Sequence, residues 1–243
     1  LNYACYQDAR FIVVGTPSGI SLAAEGGAHQ SIYEPLIGLG QPGLTSFEPA
    51  YADELCEIFR WSFEHLQADD GGAVYLRLST RPIDQLRRPF SNELSAQVIE
   101  GGYWMIPPAV DARVALVGSG AVLPELIEAH RQLSEDLPGT GLLVVTSVDR
   151  LYRGWTDSHR APINSTAPHV TRLLQALPPR ASLVTVVDGH SSTLSWLSSV
   201  RQHPVIPLGV DRFGQSGDLQ DLYKEYGLDA GAIVDAVARL IVG

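Results

Sequence analysis

Cysteine is nearly absent from this chain: Cys5 and Cys56 are the only two in 243 residues. Two unpatterned thiols exclude a disulfide framework or a zinc knot and suit a reducing cytosol, so a cytoplasmic location is expected. Basic residues are also in deficit, 17 Lys and Arg against 27 Asp and Glu, for a net charge of −10. That balance excludes a broad nucleic-acid or anionic-membrane surface and leaves only local anion sites. No apolar run is long enough to span a bilayer, which predicts a soluble chain with no membrane partner. Internal repeats, low-complexity tracts and a visible targeting segment are missing too. The opening Leu1-Asn2-Tyr3-Ala4-Cys5-Tyr6 has no Met and reads as the back half of an amphipathic helix. The expectation is a fragment of a larger protein, or a chain completed by another polypeptide.

Hydrophobic residues make up 45% of the sequence, enough to fill one large or two modest cores. Apolar runs rich in β-branched residues recur at 11–14, 74–78, 114–117, 142–146, 183–187 and 205–210. Continuous runs of this kind suit parallel strands covered on both faces. Helical stripes alternate with them at 49–67, 123–133, 169–177, 219–226 and 230–242. The alternation predicts an α/β fold. Between Arg81 and Arg113 the chain is polar and broken by Pro82, Pro89, Gly101, Gly102, Pro107 and Pro108, as a linker or wandering connection would be. Only two strands then precede this break, too few for a stable sheet. Four strands and four helices follow it and could fold alone.

Residues 25–31, Glu25-Gly26-Gly27-Ala28-His29-Gln30-Ser31, carry the most chemistry. A diglycine between a carboxylate and a histidine lets the backbone approach a ligand closely. His exchanges protons near neutral pH with little tuning, and loops after buried strands are where open α/β sheets build their sites. A surface turn with an incidental His fits the same residues. Other motifs read as structural. Gly118-Ser119-Gly120 lacks the third glycine of a dinucleotide fingerprint, since Leu123 stands there, so a tight strand-to-helix turn is preferred. Gly189-His190-Ser191-Ser192-Thr193 lacks the closing glycine of a nucleophile elbow, and Ser191 or Ser192 reads as a helix cap. Ser216 reads as another cap. The run from Ser147 to Arg160, dense in charged and aromatic groups, reads as a functional loop, a subunit contact or a solvated connection. Its Asp149, Asp157 and His159 match no standard metal spacing.

Two of these stretches together resemble the transketolase superfamily of thiamine diphosphate enzymes. Residues 16–30, ending Glu25-Gly26-Gly27-Ala28-His29-Gln30, are similar to the family's Thr-His-Asp-Ser-Ile-Gly stretch leading into Gly-Glu-Asp-Gly-Pro-Thr-His-Gln. Val210-Asp211-Arg212-Phe213-Gly214-Gln215-Ser216 is similar to its Asp-Arg-Phe-Gly-Glu-Ser. Two departures point away from a sugar phosphate: Pro17 stands where transketolases carry a His, and Glu25 replaces an Asp. The loop from Thr146 to Trp155, with Ser31–Leu36 and Ser46–Tyr51, looks more like the homodimeric type of pyruvate dehydrogenase decarboxylase component.

The resemblance implies an α/β fragment: residues 1–90 as the end of a pyrimidine-binding domain, 91–104 as a linker, and 105–243 as an open, largely parallel C-terminal domain of transketolase type. It implies decarboxylation of a 2-oxo acid, most simply pyruvate, and transfer of the acyl group to a lipoyl group. His29 and Glu25 would be the catalytic pair, with Gln30 and Arg81 on the substrate side. Thiamine diphosphate and Mg would be bound mostly by a region absent from this sequence, because the family's Gly-Asp-Gly…Asn motif does not occur in it. Implied partners are that N-terminal region or a companion chain, a second copy in a homodimer, and a lipoyl acyltransferase. A transketolase-like ketol transfer and a non-catalytic assembly or regulatory module are the alternatives.

Overall fold

The computed structural model describes residues 1–16, 18–162 and 165–242, and its strands form two sheets. The N-terminal part runs α1 (Asn2–Tyr6), β1 (Ile12–Gly15), a 3-10 turn (Ile20–Glu25), α2 (Glu34–Gly40), β2 (Leu44–Phe47), α3 (Ala52–His65) and β3 (Ala73–Arg77). Its three strands are parallel, in the order β1-β3-β2. The sequence shows two strands here, and β2 is the third. Leu44 and Phe47 anchor it in the core, but the intervening Thr45 and Ser46 conceal it as a polar stretch.

The C-terminal part continues with α4 (Asn92–Glu100), β4 (Gly102–Ile106), β5 (Val114–Gly118), α5 (Leu123–Leu133), β6 (Gly141–Val145), α6 (Val148–Ser158), α7 (His169–Gln175), β7 (Ser182–Val186), α8 (Ser192–Ser195), α9 (Ser198–Arg201), β8 (Val205–Leu208), α10 (Leu219–Glu225) and α11 (Ala230–Val242). The strand order is β4-β6-β5-β7-β8, parallel except for the antiparallel edge strand β4. The fold is thus α/β with largely parallel sheets, and β5, β6 and β7 are buried along their whole length.

Two segments differ from expectation. Residues 91–104, read as a linker, hold α4 and most of β4. The Ser91 hydroxyl caps α4 by accepting from Leu94 N (3.1 Å), and Gly101 ends it in the left-handed region (φ 116°). Gly102 and Tyr103 can then pair with Val145 and Val144, so the second sheet has five strands rather than four. The run after Ser147 is also a helix, α6, whose first turn is capped by the Ser147 hydroxyl accepting from Arg150 N (3.1 Å).

The cap of α6 also closes the free edge of β2. Ser46 N–H donates to Asp149 Oδ2 (3.1 Å) and Glu48 N–H to Thr146 O (2.8 Å), while Ser147 Oγ–H donates to Ser46 O (2.6 Å) and Arg153 to Leu44 O (2.8 Å). An edge strand otherwise presents unpaired donors and acceptors, and here the Thr146 carbonyl after β6 and the side chains of Ser147, Asp149 and Arg153 satisfy them. Behind this seam one apolar core is continuous, with Phe47, Val74 and Leu76 packing in the same cluster as Leu116, Leu142 and Val184. No described helix is long and apolar enough to cross a membrane.

Candidate active site

Three buried charged residues converge where β2, β3 and β7 end. Glu48 follows β2, Arg77 closes β3 and Asp188 lies two residues beyond β7. Arg77 pairs through Nη1 with Glu48, and through Nη2 donates to Ser31 O (2.9 Å) and Asp188 O (2.5 Å). Burial pushes the Glu48 carboxyl above its ordinary value of 4.5, and the Arg77 guanidinium pulls against that rise. The Asp188 carboxylate accepts from Ile20 N (2.8 Å), Ser21 N (3.0 Å) and the Tyr223 hydroxyl (3.4 Å). Burial first, and the Asp188 charge next, hold the Tyr223 phenol well above 10, so it stays a donor.

These groups fasten residues 18–31 as a loop closed at its base, where Gly19 N–H donates to Ser31 O (3.2 Å). Gly19 has φ +61°, and a Cβ there would fall 2.3 Å from the Asp188 carboxyl carbon, so glycine is required by both conformation and space. On its far side the loop rests on residues 214–217. Gln30 Nε2 donates to Gln215 O (3.0 Å), Gly217 N–H to Ala23 O (3.3 Å) and Ser216 Oγ–H to Ala24 O (3.4 Å). Gly27 passes so close to Gly214 that a Cβ would lie 2.0 Å from its carbonyl oxygen. Ala23, between these contacts, has a left-handed φ of 32°, a strained geometry for a residue with a side chain.

The two expected catalytic residues lie at the outer end of this loop. Glu25 and His29 are both exposed, and among the described residues neither side chain has a hydrogen-bond partner. The turn is set by His29 N–H donating to Gly26 O (3.0 Å). Gln30, expected beside the substrate, is instead buried and spends its amide on the backbone beneath the loop. Arg81 is also engaged elsewhere: its guanidinium forms a bidentate pair with Glu125 (both 2.7 Å), donates to Ala121 O (2.8 Å) and covers the Tyr223 ring at 5.1 Å. Pro17 lies outside the described residues.

Sequence reading missed Glu48, Arg77 and Asp188. Arg77 had a usable signal, a charge inside an otherwise apolar strand run; Asp188 had none, because an Asp before a glycine at a strand end fits any ordinary turn. His190 is a local brace: its Nδ1 faces Ser192 Oγ (2.8 Å) and Ser192 N (3.2 Å), while Nε2 lies 3.7 Å from Asp211. Neither Ser191 nor Ser216 caps a helix through its side chain; the Ser216 hydroxyl braces the loop instead.

The same architecture occurs in solved transketolases. A transketolase mutant from Pichia stipitis superposes with a TM-score of 0.75 at 18% identity, covering 99% of this chain and 31% of that one. The profile of the transketolase-like TK C-terminal domain matches residues 101–229, and the chain belongs to that family. Among curated relatives, the pyruvate dehydrogenase E1 component of Escherichia coli (strain K12) is 26% identical over 95% of this chain. The 6-deoxy-6-sulfo-D-fructose transketolase subunit SqwH of Clostridium sp. (strain MSTE9) is 27% identical, also over 95% of this chain and over 65% of its own length. The chain spans about a quarter, 26%, of the length of the E1 relative.

Proposed function

We propose that this chain provides the substrate-side loop of a thiamine diphosphate-dependent 2-oxo-acid dehydrogenase decarboxylase component. The carrying observation is the loop itself. Residues 18–31 are bound at base and flank to the loops that leave the second sheet, with Ala24, Glu25, Ala28 and His29 exposed at the outer end. Fixing a proton-transfer group on a rigid loop is how a site orients chemistry that a cofactor performs. The similarity to pyruvate dehydrogenase E1 components supports a 2-oxo acid, with pyruvate the simplest case.

Among the described residues no three His, Cys, Asp or Glu side chains are grouped to hold a metal ion. On this reading the cofactor is held chiefly by a region or companion chain other than these residues, in an enzyme that is a homodimer when complete and hands its acyl group to a lipoyl acyltransferase in the cytoplasm. His29 hydrogen-bonds the substrate carboxylate or carbonyl and moves a proton there; Glu25 supplies the one carboxylate at the tip. Gln30 keeps the tip in place from below, and Arg81 ties the end of the first sheet to α5.

The test is turnover in the complete assembly, with thiamine diphosphate, Mg and an electron acceptor. Reduction of the acceptor with 2-oxo acids and no ketol transfer from ketose phosphates is expected. Ketol transfer without 2-oxo-acid oxidation would overturn the proposal in favour of the activity that SqwH-like and transketolase relatives suggest. Neither activity in a complete assembly would favour a non-catalytic module.

A further inference from the structure

We propose that Asp188 is a positioning residue that locks the Glu25–His29 loop onto the second sheet, with Arg77 and Glu48 as its counterpart at the loop's other end. The inference rests on the functional reading of that loop. Asp188 is fully buried, yet its carboxylate is spent on the two consecutive amides Ile20 and Ser21 and on the Tyr223 hydroxyl. A buried carboxylate is costly unless its lone pairs are filled, and this one is filled mainly by the loop. Arg77 grips the exit of the same loop at Ser31 O while also holding the Asp188 carbonyl. One guanidinium and one carboxylate therefore fix both ends of residues 20–31 to the end of β7, and Glu48 fixes the guanidinium. The strained Ala23 lies inside the span they hold, so the loop's conformation depends on these external contacts rather than on its own preference. Neither Asp188 nor Arg77 needs to touch a substrate to act this way.

Amide hydrogen exchange on the full chain tests it without cofactor or substrate. Asp188→Asn keeps the shape but turns one of the two oxygens into a donor, set against either the Ile20 or the Ser21 N–H. Exchange across residues 19–31 should rise by about tenfold or more, the effect of losing one charge-assisted bond, while β5 and β6 keep their protection. Gly19→Ala attacks the same contact from the loop side and should give the same local rise. Unchanged loop exchange, a rise spread evenly through the core, or loss of the fold in both variants would overturn the proposal. Because exchange is read without chemistry, a loop that loosens as expected in an assembly that transfers ketols would refute the functional reading alone.

Discussion

His65 is held in its neutral form by its surroundings. Its Nε2 accepts from Gly72 N (3.1 Å), which requires an unprotonated nitrogen, and its ring stacks on Trp61 at a centroid distance of 4.4 Å. Arg150 lies over the same Trp61 ring, at 4.8 Å. Desolvation, followed by the Arg150 charge, lowers the His65 pKa below its ordinary 6.5. A depressed folded value means the unfolded chain binds more protons, so this contribution is complete above about pH 6.5 and is lost as pH falls through the lower folded value. The urea midpoint should therefore drop on acidification from pH 7 to 5, and His65→Gln should flatten that part of the profile. Identical profiles would show that His65 carries no part of the acid sensitivity. The sequence offers no sign of this role, because Trp61 and Arg150 are far apart along the chain and only packing brings them together.

At the scale of elements, the junction of β2 with α6 ties the two sheets together. Asp149 is its centre, buried and shared between Ser46 N–H and Arg153 (2.8 Å). Asp149→Ala strands a buried amide on the strand edge and should lower stability by about 2 kcal/mol in urea denaturation; a change near zero would show that water replaces the carboxylate. The elements that the sequence discloses are those whose periodicity is uninterrupted. Helix α5 spans Leu123–Leu133 as its stripe predicts, and β5 to β7 match their apolar runs within a residue or so. The elements it conceals have their pattern masked by neighbours. Two prolines upstream and Gly101-Gly102 downstream disguise α4, charges and aromatics disguise α6, and two polar residues disguise β2. For β2 the decisive contact is an edge pairing that no local window contains; for α4 and α6 it is a serine cap three residues away, local but masked by the flanking prolines, charges and aromatics.

For the whole molecule, the two sheets meet around a charged cluster instead of through apolar packing alone, and the candidate site sits on that meeting point. The Glu25–Gln30 motif was legible in the sequence because it occupies one short segment. The cluster beneath it was not, because Glu48, Arg77 and Asp188 come from three separated strand ends that only the fold assembles. On the proposed function, this cluster holds His29 where a 2-oxo acid reacts. The most direct measurement is pyruvate-dependent acceptor reduction by the complete assembly carrying His29→Ala. Turnover should fall by roughly 100-fold or more with the fold retained, the magnitude expected when a positioned proton-transfer group is lost. An unchanged rate would contradict it and return Glu25-Gly26-Gly27-Ala28-His29 to a surface turn.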